Sequence, residues 1–445
     1  MVKTKVSLEG IGEWEVFSPP TVYPPREDSL LLCKIISEFI PSPGEKALEI
    51  GCGSGIITMV LATLGWEVSA CDLNPYAVSA TRGNMDNNEI PGSYRITESG
   101  LGENLVIPEG TKLVVWNLPY LEREEDNNHF EKIEEIAWSD IPDEGWGGEL
   151  LNFLESLDNV DEIVALLVMK TEPEGKSKVV TWEQKGWTSY TLGSERLGDE
   201  KIEIVAFWKT ASGRTPYFID TCSSTMDEVL KISDGDWVRV LSKTQTNGRG
   251  RRNSEWISEQ GGLFATWKIR SSLVDKFSPG IIQTSVGAIV STVLDAEMKW
   301  PNDILNKKGE KMGGVLVESS NTKDSGIRIG IGLNRFAFSA ENQVTASGWE
   351  ETLGDVDGKE VFNKIDRGLS AIFERRGFLP FPSKGALVSQ SWISLSKALS
   401  RGLCARLGGE IVRPTGLNEL GELRVTGESV GNVDIGDLDI IDWFI

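Results

Sequence analysis

Apolar positions fall into two rhythms along this chain. Through residues 1–210, short apolar runs alternate with segments of helical spacing. ALEI (47–50) stops at the alternating glycines Gly51, Gly53 and Gly55, and the helix-compatible IITMVLATLG follows. EVSACDLNP brings a second strand and KLVVWNLPYLERE (112–124) a third of the buried kind, with further apolar runs at Ile163 to Met169 and IEIVAFW. Strands that alternate with helices in this way predict a Rossmann-like α/β unit. Past residue 210 the pattern changes. PYFIDTCSSTMDEVL predicts a short strand, a hydroxyl cluster and a helix start; VRVLSKTQTNGRGRR predicts a strand entering an arginine loop. GGLFATWKI is a return strand, EMKWPND ends another and IRIGIGLN alternates again, a mixture that predicts an α+β unit. In residues 396–445 the runs LCARL, EIVRP, ELRV, ESV and DIID, parted by Gly and Asn-Glu turns, predict a small SH3-like β-barrel. The polar stretch TASGRTP (210–216) marks the join. The expected division is therefore 1–210, a linker at 211–217, 218–395 and 396–445.

Composition narrows the classes. With 445 residues, 40% hydrophobic and 25% charged, the chain can bury more than one core. The formal charge of −22 is uneven: residues 1–210 hold 17 Lys+Arg against 37 Asp+Glu, and the remainder is nearly balanced. An acidic half repels nucleic acid. The five cysteines show no C-x-x-C spacing and His129 is the only histidine, which argues against zinc sites, disulfide frameworks and hydrolases that use a histidine base. No apolar run approaches the roughly 20 residues of a membrane-spanning helix. The N-terminus lacks the apolar core of a signal peptide, so a cytoplasmic protein is expected.

In the first half, the glycine turn between strand and helix brings backbone N–H groups towards a nucleotide-like ligand. Asp72 follows Gly55 by 17 residues, where a ribose-binding carboxylate belongs in such a unit. A plain structural turn is the alternative. The third strand ends in Asn117-Leu118-Pro119-Tyr120, a set suited to hold a planar amide or amino group: the Asn side chain accepts from NH₂, and an aromatic face excludes water. Asn as a turn cap with Tyr in the core is the plainer reading.

These features, with PPREDSLLL (24–32) and GWGGELLNFL (145–154), resemble the HemK-type class I methyltransferases over residues 15–210. The resemblance implies S-adenosylmethionine as cofactor and the glutamine of a release factor's Gly-Gly-Gln motif as acceptor. By that likeness Glu49, Gly51, Gly53 and Asp72 contact the cofactor, and Asn117, Pro119 and Tyr120 hold the target amide. Some relatives also need a small zinc-binding activator protein. Two departures stand out: Leu118 replaces the family's first proline, and Lys112 stands where an aspartate is common. Asn-Leu-Pro-Tyr also resembles the form in adenine-N6 RNA dimethylases. Glutamine methylation, adenine methylation and a catalytically inactive docking module all stay open.

In the second half, an anionic acid and a nucleotide triphosphate repel each other unless fixed cations join them. Arg249, Arg251, Arg252 and Lys311 are candidates, with Asp303 to hold magnesium and glycines to leave backbone space. A solvated arginine loop and an ordinary WPND turn are the alternatives. SSTMDE, Q-x-x-GRGRR-x-x-x-W, KWPND, K-x-x-G-x-L-x-E and G-x-G-x-N resemble, in order and spacing, the biotin protein ligases across residues 216–395. That likeness implies a class II synthetase-like fold, formation of biotinyl-adenylate from biotin and ATP with Mg2+, and transfer to a lysine of a biotin carboxyl carrier domain of a biotin-dependent carboxylase. It places Ser224, Thr225, Gln245, Gly248, Arg249, Arg251, Lys311, Gly314, Gly330 and Gly332 around biotin and its activated carboxylate, and Asn302 and Asp303 towards ATP and the metal. Asn253 and Glu255 depart from the usual loop. TGLNELGELRV carries a likeness to the ligases' C-terminal domain. The methyltransferase-like segment occupies the place of a helix-turn-helix, so no operator binding is expected.

Overall fold

The computed structural model describes every residue except 120–141, 234, 251–254, 270–275, 320–325, 340–344, 375, 438–439 and 445. It divides into two units, Met1–Gly213 with Arg376–Pro380, and Arg214–Arg375 with Phe381–Ile445. The return of residues 376–380 to the first unit has no counterpart in a linear reading of the sequence. Near the division, Thr210–Gly213 forms a short 3-10 turn in which Ala211, Ser212 and Gly213 all take positive φ.

The first unit runs β1 (Val2–Leu8), β2 (Gly12–Ser18), α1 (Glu27–Ser37), β3 (Lys46–Ile50), α2 (Ile56–Thr63), β4 (Glu67–Asp72), α3 (Pro75–Asn87), β5 (Tyr94–Glu98), β6 (Thr111–Asn117), α4 (Gly145–Glu155), β7 (Val164–Glu172), α5 (Val179–Gln184), β8 (Trp187–Leu197) and β9 (Glu200–Lys209). β1 and β2 pair as a hairpin, and the other seven strands form one sheet in the order β5-β4-β3-β6-β7-β9-β8. β3 to β7 lie parallel, while β8 and β9 run antiparallel. Strand order reverses where β3 pairs with β4 on one side and β6 on the other, the switch point at which such sheets bind ligands. Alternation along β6 serves both faces: Leu113 and Val115 pack with α1 and α2, and Val114 and Trp116 with α4. Burial on both faces is why these strands read as unbroken apolar runs. Asn84 and Asn88, on one face of α3, bond the backbone N–H and C=O of Phe17 and Glu15 at 2.9–3.0 Å. The helix thus takes the place of a third strand beside β2 and sets the direction of the segment that follows it.

The second unit runs β10 (Tyr217–Cys222), α6 (Thr225–Glu228), β11 (Trp237–Gln245), β12 (Gly248–Arg249), β13 (Glu255–Trp256), β14 (Leu263–Ile269), α7 (Pro279–Val293), β15 (Glu297–Lys299), β16 (Asp303–Leu305), β17 (Lys311–Ser319), β18 (Ile327–Leu333), β19 (Phe338–Ser339), β20 (Thr345–Ala346), α8 (Glu350–Leu353), α9 (Gly358–Phe373), α10 (Lys384–Ser400), β21 (Cys404–Leu407), β22 (Glu410–Leu417), β23 (Leu423–Gly427), β24 (Gly431–Ile435) and β25 (Ile441–Phe444). Its main sheet has the order β10-β11-β14-β18-β17-β16-β15. Buried Asp366 on α9 ties this sheet to the helix layer, accepting from the Trp237 and Trp267 indoles at 3.3 and 2.8 Å and pairing with Arg239. The tail is a five-stranded antiparallel sheet, β24-β23-β22-β21-β25, whose apolar face shares a core with Ala288, Met298, Trp300 and Leu395. The expected ESV strand is instead the turn between β23 and β24. Among the described residues, no helix is long and apolar enough to cross a membrane.

Candidate active sites

At the switch point of the first unit the chain turns through Gly51, Gly53 and Gly55 with φ of 69°, 51° and 87°. Side-chain-bearing residues rarely adopt this backbone, and at Gly55 a Cβ would also stand 2.7 Å from Thr81 Cγ2. The turn borders a cavity of about 310 Å³ over the ends of β3, β4 and β6. Asp72 fastens it: Oδ2 accepts from the Gly53 N–H at 2.9 Å and Oδ1 from the Asn74 N–H at 2.8 Å. Burial raises the Asp72 pKa, and those two donors oppose the rise. Glu49 is buried below, where Thr58 Oγ1 donates to its Oε2. Burial pushes the Glu49 carboxyl up to about 8 against the pull of that bond, and the Asp72 charge adds to the rise. A neutral acid therefore lines the cavity at neutral pH, ready to ionise beside a cation.

The facing wall is the end of β6. Asn117 Nδ2 donates to Oδ2 of buried Asp28, in the first turn of α1, at 3.0 Å. With its NH₂ so engaged, the Asn117 side chain turns Oδ1 elsewhere, and that oxygen is buried without a hydrogen-bond partner among the described residues. Leu118 packs into the core beneath and Pro119 borders the cavity. Lys112 sits at the other end of β6, pairs with Glu162 at 2.5 Å and is not among the cavity residues. Its departure from the expected pattern leaves the site untouched. Tyr120 lies outside the described residues.

The second unit builds its candidate site on a floor of glycines. Gly332 stands opposite Gly314 on β17, and Gly330 opposite Thr266 on β14. Thr225 donates from both N and Oγ1 to Gln245 Oε1, at 2.8 and 3.0 Å, and Thr266 Oγ1 donates to Thr225 Oγ1 at 2.8 Å. Ser224 occupies the N-cap of α6 without making a capping bond; its Oγ is buried and has no partner among the described residues. Trp256 lies across the floor. A Cβ at Gly332 would meet its ring at 2.7 Å, and one at Gly248 its carbonyl oxygen at 2.7 Å.

Beside the indole stands a charged cluster. Lys311 Nζ is 5.7 Å from the Trp256 ring centroid and 2.6 Å from Asp303 Oδ1, while Lys299 Nζ is 2.6 Å from Asp303 Oδ2. Burial alone would raise the Asp303 pKa, but the Lys311 and Lys299 charges outweigh it and hold the carboxyl below its usual range. Both carboxylate oxygens are thus committed to ammonium groups. Among the described residues no group of three His, Cys, Asp or Glu is placed to hold a metal by protein ligands alone. Asn302 spends its Nδ2 on the Val315 carbonyl at 3.0 Å, pinning the WPND turn to β17. Arg249 pairs with Asp227 at 2.7 Å. Arg251, Arg252 and Asn253, and the Glu255 side chain, lie outside the described residues.

Residues 31–118 match the family model described as ribosomal protein L11 methyltransferase (PrmA), and residues 218–334 that of the biotin/lipoate A/B protein ligase family. In tandem, then, one stretch of the chain is similar to a methyltransferase family and a later one to a biotin/lipoate ligase family. A putative protein N5-glutamine methyltransferase of Methanocaldococcus jannaschii is 35% identical over 122 residues, 27% of this chain and 57% of that protein. The biotin–[acetyl-CoA-carboxylase] ligase of Paracoccus denitrificans is 26% identical over 209 residues, 42% of this chain and 82% of that protein. The chain therefore spans little more than half the length of the first of these relatives. Among solved structures, the Aquifex aeolicus biotin protein ligase in complex with biotin and ATP aligns with 52% of this chain and 99% of its own, at 22% identity and a TM-score of 0.43.

In the first unit the structure gathers Glu49, Gly51, Gly53, Asp72, Asn117 and Pro119 around one cavity. In the second unit Thr225 and Gln245 are joined by hydrogen bonds, Gly248, Gly314 and Gly332 lie against Trp256, and Lys311 meets Asp303. Gly330 adjoins Met226, whose Sδ stands 2.7 Å from where a Cβ would be. Sequence reading missed Asp28, Thr58, Trp146, Thr266 and Lys299. Asp28 and Lys299 lay inside quoted motifs, but no spacing rule separates them from their neighbours; Thr58 and Thr266 sit in apolar runs and show themselves only through their bonds.

Proposed function

We propose that the chain is a bifunctional enzyme: an ATP-dependent biotin ligase acting on a carrier-protein lysine, and an S-adenosylmethionine-dependent methyltransferase acting on a protein glutamine. The ligase reading is carried by the Lys299–Asp303–Lys311 cluster beside the glycine floor. A biotin carboxylate oxygen attacks the α-phosphorus of ATP, the acyl phosphate bond forms and pyrophosphate leaves. Lysines held in place by Asp303 neutralise the two anions as they meet. The glycines Gly314 and Gly332 let the Trp256 ring lie close against the sheet, an apolar wall for the ligand, and Ser224 Oγ, which has no partner among the described residues, is a polar atom for its ring. A carrier lysine amine then attacks the acyl carbon, AMP leaves and the amine loses a proton. Mg2+ belongs in this reading as the counter-ion that arrives with ATP. The five-stranded tail sheet is taken as the SH3-like domain of such ligases. ATP–pyrophosphate exchange dependent on biotin, followed by labelling of a biotin carboxyl carrier domain, tests the proposal; absence of both would reject it.

For the methyltransferase the carrying observation is Asn117 Oδ1, left unpaired because Asp28 holds Nδ2. S-adenosylmethionine supplies an electrophilic methyl group on a sulfonium. Asn117 accepts from the acceptor NH₂, the wall at Leu118 and Pro119 excludes water, and Glu49 and Asp72 offer carboxylates to the cofactor. A nitrogen–methyl bond forms, the sulfonium carbon–sulfur bond breaks, and the nitrogen releases a proton to solvent. A release-factor glutamine is the acceptor this reading favours, with a small zinc-binding activator as a partner, and a cytoplasmic location accompanies both activities. Calorimetric titration with S-adenosylmethionine, then methyl transfer to intact release factor with and without such an activator, tests it. Failure to bind the cofactor would leave the unit a docking module.

A further inference from the structure

Among the described residues, two buried polar atoms of side chains lining the cavity of the first unit have no hydrogen-bond partner, and they are of opposite kind. Asn117 Oδ1 is an acceptor and Trp146 Nε1 a donor, and both residues line the same cavity. Trp146 stands in the first turn of α4, with its ring 6.1 Å from that of Trp116, the neighbour of Asn117 in β6. Its place is fixed by what flanks it. The Gly147 N–H donates to Ser177 Oγ at 2.9 Å, a Cβ on Gly147 would stand 3.5 Å from Leu118 Cδ1, and Gly145 takes a φ of 67° that admits the turn. An unsatisfied buried donor or acceptor is costly, and a ligand that meets both atoms relieves both costs.

We propose that the Trp146 indole N–H binds the carbonyl oxygen of the acceptor amide while Asn117 Oδ1 accepts from its nitrogen, so that nitrogen and not oxygen faces the methyl donor. This rests on the methyltransferase reading above and deepens it. The requirement is chemical. In a primary amide the oxygen is the more nucleophilic atom, so an enzyme that methylates nitrogen must occupy the oxygen. An indole N–H does so without offering a proton that can be lost. The same pair selects the acceptor class: a carboxylate has no donor for Asn117 Oδ1, and an amine has no acceptor for Trp146. Adenine carries both groups on one edge, but the 17 basic against 37 acidic residues of positions 1–210 repel a polyanion.

The full chain and its W146F variant, each saturated with S-adenosylhomocysteine, are titrated with a Gly-Gly-Gln peptide and with its Gly-Gly-Glu counterpart. Phenylalanine keeps most of the ring and removes only the donor. W146F is expected to bind S-adenosylhomocysteine within about twofold of the parent and the glutamine peptide about tenfold more weakly, the loss of one hydrogen bond. The glutamate peptide should bind the parent weakly and W146F no worse. Equal loss for S-adenosylhomocysteine and peptide would make Trp146 a cofactor contact, and unchanged peptide affinity would give it no part in acceptor binding; either overturns the assignment while leaving the methyltransferase reading intact. If the parent holds S-adenosylhomocysteine and takes up an adenine-containing oligoribonucleotide but no glutamine peptide, the protein-acceptor reading itself falls, and this inference with it.

Discussion

Asp28 and Asn117 lie 89 positions apart in the chain and meet at 3.0 Å, and their contact decides which way the Asn117 amide points. A carboxylate cannot donate, so only Nδ2 can face it, and Oδ1 is driven to the other side. In D28N the partner can donate or accept and this compulsion is gone. The variant should bind S-adenosylmethionine as the parent does yet turn over glutamine about tenfold more slowly, the worth of one oriented hydrogen bond. Single-turnover methylation with saturating cofactor checks it; an unchanged rate would mean that amide orientation is fixed by something other than Asp28.

The Asp303 carboxylate with an ammonium 2.6 Å from each oxygen argues for lysine placement over metal binding. D303N keeps the shape and loses the charge that holds Lys299 and Lys311. Biotin-dependent pyrophosphate exchange should fall by about 10- to 100-fold, the range of a charge-assisted hydrogen bond, with no change in the Mg2+ concentration that half-saturates it. K299M should show a smaller loss of the same kind. A D303N enzyme restored by excess Mg2+ would return Asp303 to the metal.

Much of this was legible in the sequence, and the limits have physical reasons. Gly51, Gly53 and Gly55 announce themselves because a turn at positive φ favours residues without a Cβ, and Asp72 because the next strand's end falls at a set distance. Asp303 was legible as a candidate, but not its pairing with two lysines, which come from either side of a turn and are brought together only by the register of β15, β16 and β17. Trp146 lay inside the quoted GWGGELLNFL, but no role could be read for it: a tryptophan beside three glycines at a helix start looks like core, and that its N–H lacks a partner among the described residues shows only in three dimensions. The grouping of residues 376–380 with the first unit escaped for a similar reason, because composition shifts mark a linker but not a return.

Glu49 gives the cofactor cavity a pH signature. Burial pushes its carboxyl up to about 8, so at pH 7 the ligand-free protein holds it mostly protonated. A cationic cofactor favours the ionised form, so binding S-adenosylmethionine at pH 7 should release a proton, and affinity should rise as pH approaches 8. Folding runs the opposite way. The folded state keeps the Glu49 proton where the unfolded chain, with its carboxyl near 4.5, has lost it, so this residue makes stability fall as pH rises from about 4.5 to about 8. E49Q should flatten that slope and abolish the proton release. Calorimetry in buffers of different ionisation enthalpy measures the release directly, and buffer-independent heats from the parent protein would contradict a protonated Glu49.

Arg249 is paired in the ligand-free chain with Asp227 at 2.7 Å, across side chains that are 33% and 45% exposed. Such a half-exposed pair contributes little to stability, on the order of 0–1 kcal/mol. A phosphate or carboxylate held over the glycine floor offers the same guanidinium a drier, charge-assisted contact worth roughly 1.5–3 kcal/mol. The exchange of Asp227 for the ligand anion therefore runs downhill, and Arg249 should hold the adenylate once it forms, keeping a reactive anhydride from escaping. R249A should accordingly release biotinyl-adenylate about tenfold faster and label bystander lysines, while D227N, which removes the competitor, should retain the adenylate as well as the parent or better. Equal leakage from the parent and R249A would deny Arg249 this duty, and faster leakage from D227N would show that Asp227 positions Arg249 instead of competing with the ligand.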